Sequence, residues 1–349
     1  MTQRKIAVVL FNLGGPDGPA AVRPFLFNLF RDPRIITAPA PVRLGVAALI
    51  ALTRTKSAKA NYAVMGGGSP ILKETQAQAD ALAARLEGSE SSVFKVFVAM
   101  RYWKPFAADA AAAVRAWGAD DVVLLPLYPQ FSTTTTASAE DAWAAAYDGP
   151  THSVCCYPAN TQLVTAHAET IERAWKAAGS PADPRVLFSA HGLPQRVVDA
   201  GDSYQWQVER TVAAVSALLP PAWEKTVCYQ SRVGPLKWLG PSTEEALAQA
   251  ATDGRGVIVS PIAFVSEHIE TLVELDVEYA EKAHALGLPF YIRAPALGTS
   301  PVFIDGLAAL VRKALLRGCG AHSESGGRLC PDRFGACPMK AVASERSAA

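Results

Sequence analysis

The sequence predicts an α/β protein: two similar doubly wound domains, each a four-stranded parallel sheet flanked by helices, with a cleft between them. Three observations carry this expectation. Apolar, β-branched runs alternate with Ala-rich amphipathic stretches along nearly the whole chain. The later strand starts are spaced alike in the two halves, by roughly 28 and 31 residues in the first and 31 and 33 in the second. The strand ends also resemble one another, with Val9-Leu10-Phe11-Asn12-Leu13-Gly14-Gly15 paralleling Val186-Leu187-Phe188-Ser189-Ala190-His191-Gly192, and Met100-Arg101 paralleling Ser231-Arg232.

In chain order, the first strand is expected over 5–12, stopped by the turn residues Gly14-Gly15-Pro16. Strands follow over 93–100, 121–128 and 152–157, with helical patterns over 72–86 and 107–117 between them. A helix over 161–178 leads into the second half, which repeats the plan. Its strands fall at 185–190, 225–230, 256–263 and 289–294, its helices at 205–219 and 270–285, and a last helix covers 302–316. The long gap after the first strand marks an insertion between Phe30 and Ile71. The domains are therefore expected at 1–157, with a lip insertion at about 31–70, and at 158–300. A C-terminal helix over 301–317 and a Cys-containing extension over 318–349 complete the chain.

At 349 residues, half of them apolar and with a formal net charge of +1, the chain has the means to bury two cores and lacks the basic surface that nucleic acid requires. The apolar run from Ile6 to Leu13 is too short for an export signal and enters a turn. The longest apolar run, Leu44 to Leu52, is less than half of the roughly 20 residues that cross a bilayer. Without an export signal the six cysteines are expected to stay reduced.

Chemistry gathers at the expected carboxyl ends of the strands, where open α/β sheets hold ligands. Glu270, Glu274 and Glu278 recur every fourth residue, and a helix would set them in one ridge of like charge that a passing cation offsets. A solvated acidic face is the bland alternative. His191 ends the fifth strand, and the seventh leads to His268 and Glu270; imidazole with carboxylate suits a first-row divalent ion. His268 points elsewhere if Glu270 faces the cleft. Arg101-Tyr102, Tyr128-Pro129-Gln130 and Ser231-Arg232 with Trp238 close the set.

These residues resemble the ferrochelatase family. The resemblance lies in Phe188-Ser189-Ala190-His191-Gly192-Leu193-Pro194, Gln230-Ser231-Arg232-Val233-Gly234-Pro235 with Trp238-Leu239-Gly240-Pro241, and His268-Ile269-Glu270-Thr271-Leu272 with Glu274-Leu275-Asp276. Asn12-Leu13-Gly14-Gly15-Pro16, Met65-Gly66-Gly67-Gly68-Ser69-Pro70, Arg101-Tyr102 and Leu127-Tyr128-Pro129-Gln130 add to it, all in the family's order.

The resemblance implies a chelatase-like fold and insertion of Fe2+ into protoporphyrin IX, with release of two protons to give protohaem. It implies His191 and Glu270 as the catalytic pair on the macrocycle and on the iron, either serving as base or metal ligand. Glu267 and Glu274 follow as the path for protons or metal. Leu13, Arg54, Tyr62, Arg101, Tyr102, Ser231, Trp238 and Phe264 are implied as porphyrin contacts, with Arg54, Tyr62 and Ser231 near the propionates. Ile35-Ile36 and Leu44 to Leu52, fringed by Arg43, Arg54, Lys56 and Lys59, resemble the hydrophobic lip of the mouth. Such a lip suits peripheral membrane contact, with a buried helix as the alternative. The implied setting is the cytoplasm, at the inner face of its membrane, and a homodimer is compatible with the reading. Cys319, Cys330 and Cys337, with Cys155 or Cys156 as the fourth, are implied as ligands of a [2Fe–2S] cluster of the kind that some family members carry. The alternatives weighed are a coproporphyrin III ferrochelatase and a non-catalytic haem or porphyrin carrier.

Overall fold

The computed structural model describes residues 3–88, 91–232 and 234–339. Val233 of the Gln230–Pro235 motif and the last ten positions of the Cys-containing extension lie outside them. In chain order the elements are β1 (Arg4–Asn12), α1 (Val22–Phe30), α2 (Ala40–Val64), α3 (Ile71–Leu86), β2 (Ser92–Met100), α4 (Ala107–Trp117), β3 (Asp121–Pro126), α5 (Thr136–Ala144) and β4 (His152–Cys156). The second half holds α6 (Thr161–Ala177), β5 (Arg185–His191), α7 (Gln195–Asp199), α8 (Tyr204–Ser216), β6 (Glu224–Gln230), α9 (Thr243–Thr252) and β7 (Val257–Pro261). A π-helix (Glu270–Glu278), α10 (Tyr279–Ala285), β8 (Tyr291–Arg293), α11 (Pro301–Leu316) and β9 (Gly320–Ser323) end the described chain.

Both sheets are parallel and wound alike. The first runs β2-β1-β3-β4-β9 and the second β6-β5-β7-β8. Numbered within its own half, each reads 2-1-3-4, which is the relation the matching strand ends predicted. The strands are apolar because both faces are covered. Along β1, Ile6, Val8 and Leu10 enter one core with Leu82, Leu307 and Val311, while Ala7, Val9 and Phe11 enter another with Val114 and Trp143. In the second sheet Val186 and Phe188 face one core, and Leu187 and Val259 the other.

Two features depart from expectation, and the last helix, which the sequence leaves free to pack on either half, takes a side. The first sheet has a fifth strand, β9, which pairs with β4 from His152 to Cys156; its four residues have no apolar alternation to announce them. After the second sheet α11 crosses back to cover the first, packing on α3, β3 and β4. The stretch opening at Glu270 is a π-helix for nine residues before it becomes α10.

Hydrogen bonds tie the halves together. Gln78 Nε2 donates to the Val265 carbonyl at 2.8 Å, Ser266 Oγ to Gln78 Oε1 at 2.9 Å, and the Phe131 amide to Gln207 Oε1 at 2.8 Å, all buried. Buried groups of this kind cost about 1–3 kcal/mol if left unpaired, so the two sheets are held at one mutual orientation.

Candidate active site

In a sheet ordered 2-1-3-4 the strand order reverses between strands 1 and 3, and the loops there part to leave a crevice. In the second sheet those strands are β5 and β7. His191 is the last residue of β5, and the chain beyond β7 delivers Glu270 as the first residue of the π-helix. They meet: His191 Nδ1 lies 2.8 Å from Glu270 Oε2. The imidazole remains 40% exposed at its side chain, whereas the Glu270 side chain is 15% exposed. Nδ1 is committed to the carboxylate, so Nε2 is the nitrogen free to serve the cleft.

Next to β5, β6 ends at Gln230 with Ser231 just beyond, and both residues serve the carboxylates. Gln230 Nε2 donates to the Glu270 carbonyl at 2.9 Å and to Glu274 Oε2 at 3.1 Å. Ser189 Oγ fixes the other end of that amide by donating to Gln230 Oε1 at 2.8 Å. Ser231 Oγ reaches both acids, lying 3.2 Å from Glu270 Oε2 and 2.6 Å from Glu274 Oε2.

The electrostatics separate the two acids. Burial opposes charge on Glu270, but the adjoining His191 outweighs it and holds the carboxyl below its usual range. Burial likewise opposes charge on His191, and Glu270 reverses the balance, raising the imidazole. On Glu274 the hydrogen bonds from Ser231 and Gln230 and the pull of His191 are outweighed. Burial first, and the Glu270 charge second, push it up to about 7. One site thus keeps an ionised carboxylate beside an imidazole and a carboxyl that exchanges protons near neutrality.

The walls follow. Gly192 is required at its place, because a Cβ there would stand 2.8 Å from the Gln230 carbonyl oxygen. Trp238, half-buried, packs over Gly192 and is held by the bridge between Pro194 and Trp238. Phe264 lies against the buried His268, ring centroids 4.7 Å apart. His268 itself is buried, and its Nδ1 has no hydrogen-bond partner among the described residues. From the other half, Leu13 follows β1 and packs with Ile269 against a cluster of Val22, Phe25, Ala51, Tyr62 and Tyr102. The Tyr62 hydroxyl is raised by burial and by the charge of Glu270, so α2 reaches this end of the cleft.

Several expected contacts are employed otherwise. Tyr102 is 0% exposed and donates its hydroxyl to Asp32 at 2.8 Å; Arg101 pairs with the same carboxylate at 2.8 Å and with Ser138. One buried carboxylate holds both residues. Tyr62 is also buried, at 4% exposure. Ser231 stands between two carboxylates. Glu267 is bound by Arg293 at 2.5 Å and by the Ala296 amide at 2.9 Å, and so stands outside the ridge. Arg54 and Glu278 are exposed. Sequence reasoning missed Gln230 as a holder of both acids and Asp32 as the anchor of Arg101 and Tyr102; no local pattern marks either.

The expected cluster ligands divide. Cys155 and Cys156 lie with their sulfurs 3.5 Å apart in an apolar pocket with Phe131 and Leu329. Cys330 and Cys337 join them: the Cys337 thiol donates to Cys330 and lowers it to about 6, helped by Ser203, Gln207 and Arg328. Cys156 is raised by its bond to Cys155, by burial, and by the neighbouring Cys155, Cys330 and Cys337. Cys319 is elsewhere, exposed and 3.9 Å from His152 Nε2. It precedes β9, at the opposite end of the strand pair from Cys156, and cannot join the other thiols. Among the described residues no three His, Cys, Asp or Glu side chains are grouped tightly enough to hold a single metal ion.

A separate concavity of about 420 Å³ is lined by Arg185, Glu224, Glu245 and Asp253. Arg185 opens β5 and His191 closes it, so the concavity lies roughly 20 Å from the acid–imidazole pair.

A family profile described as Ferrochelatase matches residues 5–315. The chain is 58% identical over 347 residues to the ferrochelatase of Caulobacter vibrioides, covering 99% of this chain and 100% of that one. It is 57% identical over 339 residues to the ferrochelatase of Phenylobacterium zucineum, covering 96% and 98%. Among solved structures, SirB from Bacillus subtilis with Fe3+ superposes with a TM-score of 0.55 at 13% identity, covering 89% of this chain and 96% of that one. At that identity the likeness speaks for the fold alone.

Proposed function

The chain belongs to the ferrochelatase family and is a metal-chelatase lyase that inserts Fe2+ into protoporphyrin IX, and we propose that it does so at the His191–Glu270 end of the cleft. The observation that carries this placement is the 2.8 Å contact between His191 Nδ1 and Glu270 Oε2 at the switch point of the second sheet. Insertion requires two pyrrole protons to leave as the cation enters. His191 offers Nε2 to the macrocycle and, on taking a proton, is stabilised as imidazolium by Glu270. Glu274, poised near neutrality, receives what the pair gives up. Trp238, Phe264 and Leu13 supply the apolar surfaces on which a large flat ring stacks. A carrier would need the aromatic walls but not two acids bridged by one hydroxyl. Anaerobic Fe2+ with protoporphyrin tests the reading: protohaem should form, and proto- and coproporphyrin offered together should favour the former.

The lip supports a membrane-facing mouth. No helix among the described residues is long and apolar enough to cross a membrane, yet α2 exposes Leu49 at 61% and Leu52 at 54%, with Val42, Leu44 and Val46 also exposed. Arg43, Arg54, Lys56 and Lys59 fringe this face. Apolar side chains beside a basic fringe suit peripheral binding to the cytoplasmic face of an anionic bilayer, where a greasy porphyrin would dissolve.

The four gathered thiols fit a [2Fe–2S] cluster better than one ion. Two bridged irons take thiolates spread more widely than a single metal does, and the donor set is all sulfur in an apolar pocket. Cys155, Cys156, Cys330 and Cys337 would hold it, in place of the expected Cys319. It would supply a one-electron centre, and no step of metal insertion passes through it.

A further inference from the structure

Ser231 was expected at a propionate; its position in the site points to another task. It is one of few non-glycine residues in the left-handed region, with φ +61°. That conformation is unfavourable for an L residue with a Cβ, and it directs a hydroxyl at two acids of the π-helix. We propose that Ser231 is the proton-relay residue between the two acids of the site, its Oγ joining Glu270 Oε2 at 3.2 Å to Glu274 Oε2 at 2.6 Å. The proposal rests on the ferrochelatase reading and deepens it.

A hydroxyl both accepts and donates, which is what a relay requires. A proton on Glu270 Oε2 leaves as that O–H bond breaks and a bond to Ser231 Oγ forms. In the same step the proton already on Oγ passes to Glu274 Oε2. Glu270 is left ionised, Glu274 neutral and the serine hydroxyl intact, so charge and atoms balance with no further reactant. Gln230 cannot substitute. Its amide N–H groups hold the Glu270 carbonyl and Glu274 Oε2 in register, but they only donate.

The test separates the hydroxyl from the backbone. Ser231→Gly removes the hydroxyl and suits a positive φ, whereas Ser231→Ala removes the hydroxyl and keeps the unfavourable Cβ. Single-turnover insertion of Fe2+ into protoporphyrin is followed under anaerobic conditions, with porphyrin binding measured by fluorescence. Both variants should bind porphyrin within about twofold of the parent and insert metal about 10²-fold more slowly, the range of a lost proton-transfer partner. A Gly variant inserting within about threefold of the parent overturns the proposal, whatever the Ala variant does. A loss that appears in porphyrin binding rather than in insertion overturns it equally. Failure of the underlying reading would show in the parent protein, which would then insert no iron at all.

Discussion

Glu270 Oε2 is 2.8 Å from His191 Nδ1, although 79 residues separate them in the chain. The contact exists because β5 and the helix after β7 begin from neighbouring strands of one sheet. It takes one imidazole nitrogen out of service and aims the other at the cleft.

Replacing His191 with Ala should therefore abolish haem formation while porphyrin binding, read by fluorescence, largely persists. Glu270→Gln should slow turnover at least about 10²-fold, because the amide cannot stabilise the imidazolium. Near-normal turnover in either variant would remove that residue from the chemistry.

Stability should depend on pH through Glu274. Its carboxyl is raised from 4.5 to about 7, chiefly by burial, so the folded protein holds that proton more firmly than the unfolded chain. The resulting stabilisation is complete below pH 4.5 and lost as pH climbs through 7. Glu274→Gln should lack this slope. Between pH 5 and 8 the parent should lose on the order of 1–3 kcal/mol more than the variant in urea unfolding.

Asp32 is 1% exposed at its side chain and accepts from Arg101, Tyr102 and Ser138. Asp32→Ala leaves a partly buried guanidinium and a buried Tyr102 hydroxyl without their partner and should cost about 2–4 kcal/mol. Thermal unfolding should fall by roughly 2–4 °C for each kcal/mol. A change of under a degree would show that Asp32 does not anchor this network.

Iron and acid-labile sulfide in the purified protein should survive Cys319→Ser and be lost in Cys330→Ser. Equal loss in both would restore Cys319 to the ligand set.

Charge placed on the lip should act on surfaces alone. Leu49→Glu combined with Leu52→Glu should leave the melting temperature within about 1 °C, since both side chains are already solvated. Co-sedimentation with anionic vesicles should drop severalfold. Unchanged co-sedimentation would remove the lip from membrane contact.

Much of this was legible beforehand, for physical reasons. Strands buried on both faces betray themselves by continuous apolar runs, and eight of them could be found to within a few residues. The His191–Glu270 meeting followed from reading strand ends as one surface. Other parts had no local signature. β9 is four residues of Gly, Ala, His and Ser whose pairing is decided by β4. Periodicity over nine residues does not separate a π-helix from an α-helix, and the burial of Tyr102 depends on Asp32, 70 positions away. Cys319 was assigned with its sequence neighbours, but distance along a chain is a poor guide to which thiols converge. What a polar side chain binds is settled by tertiary context more often than by motif.

The late strand β9 has a further effect on the molecule. By lying along β4 it occupies hydrogen-bonding groups that would otherwise form an open ladder at the rim of the first sheet. The Cys-rich tail is thus also a guard against self-association. A protein cut after Leu316 would keep its insertion-site residues and yet gain a sticky border, and its solubility rather than its turnover would be the first property to suffer.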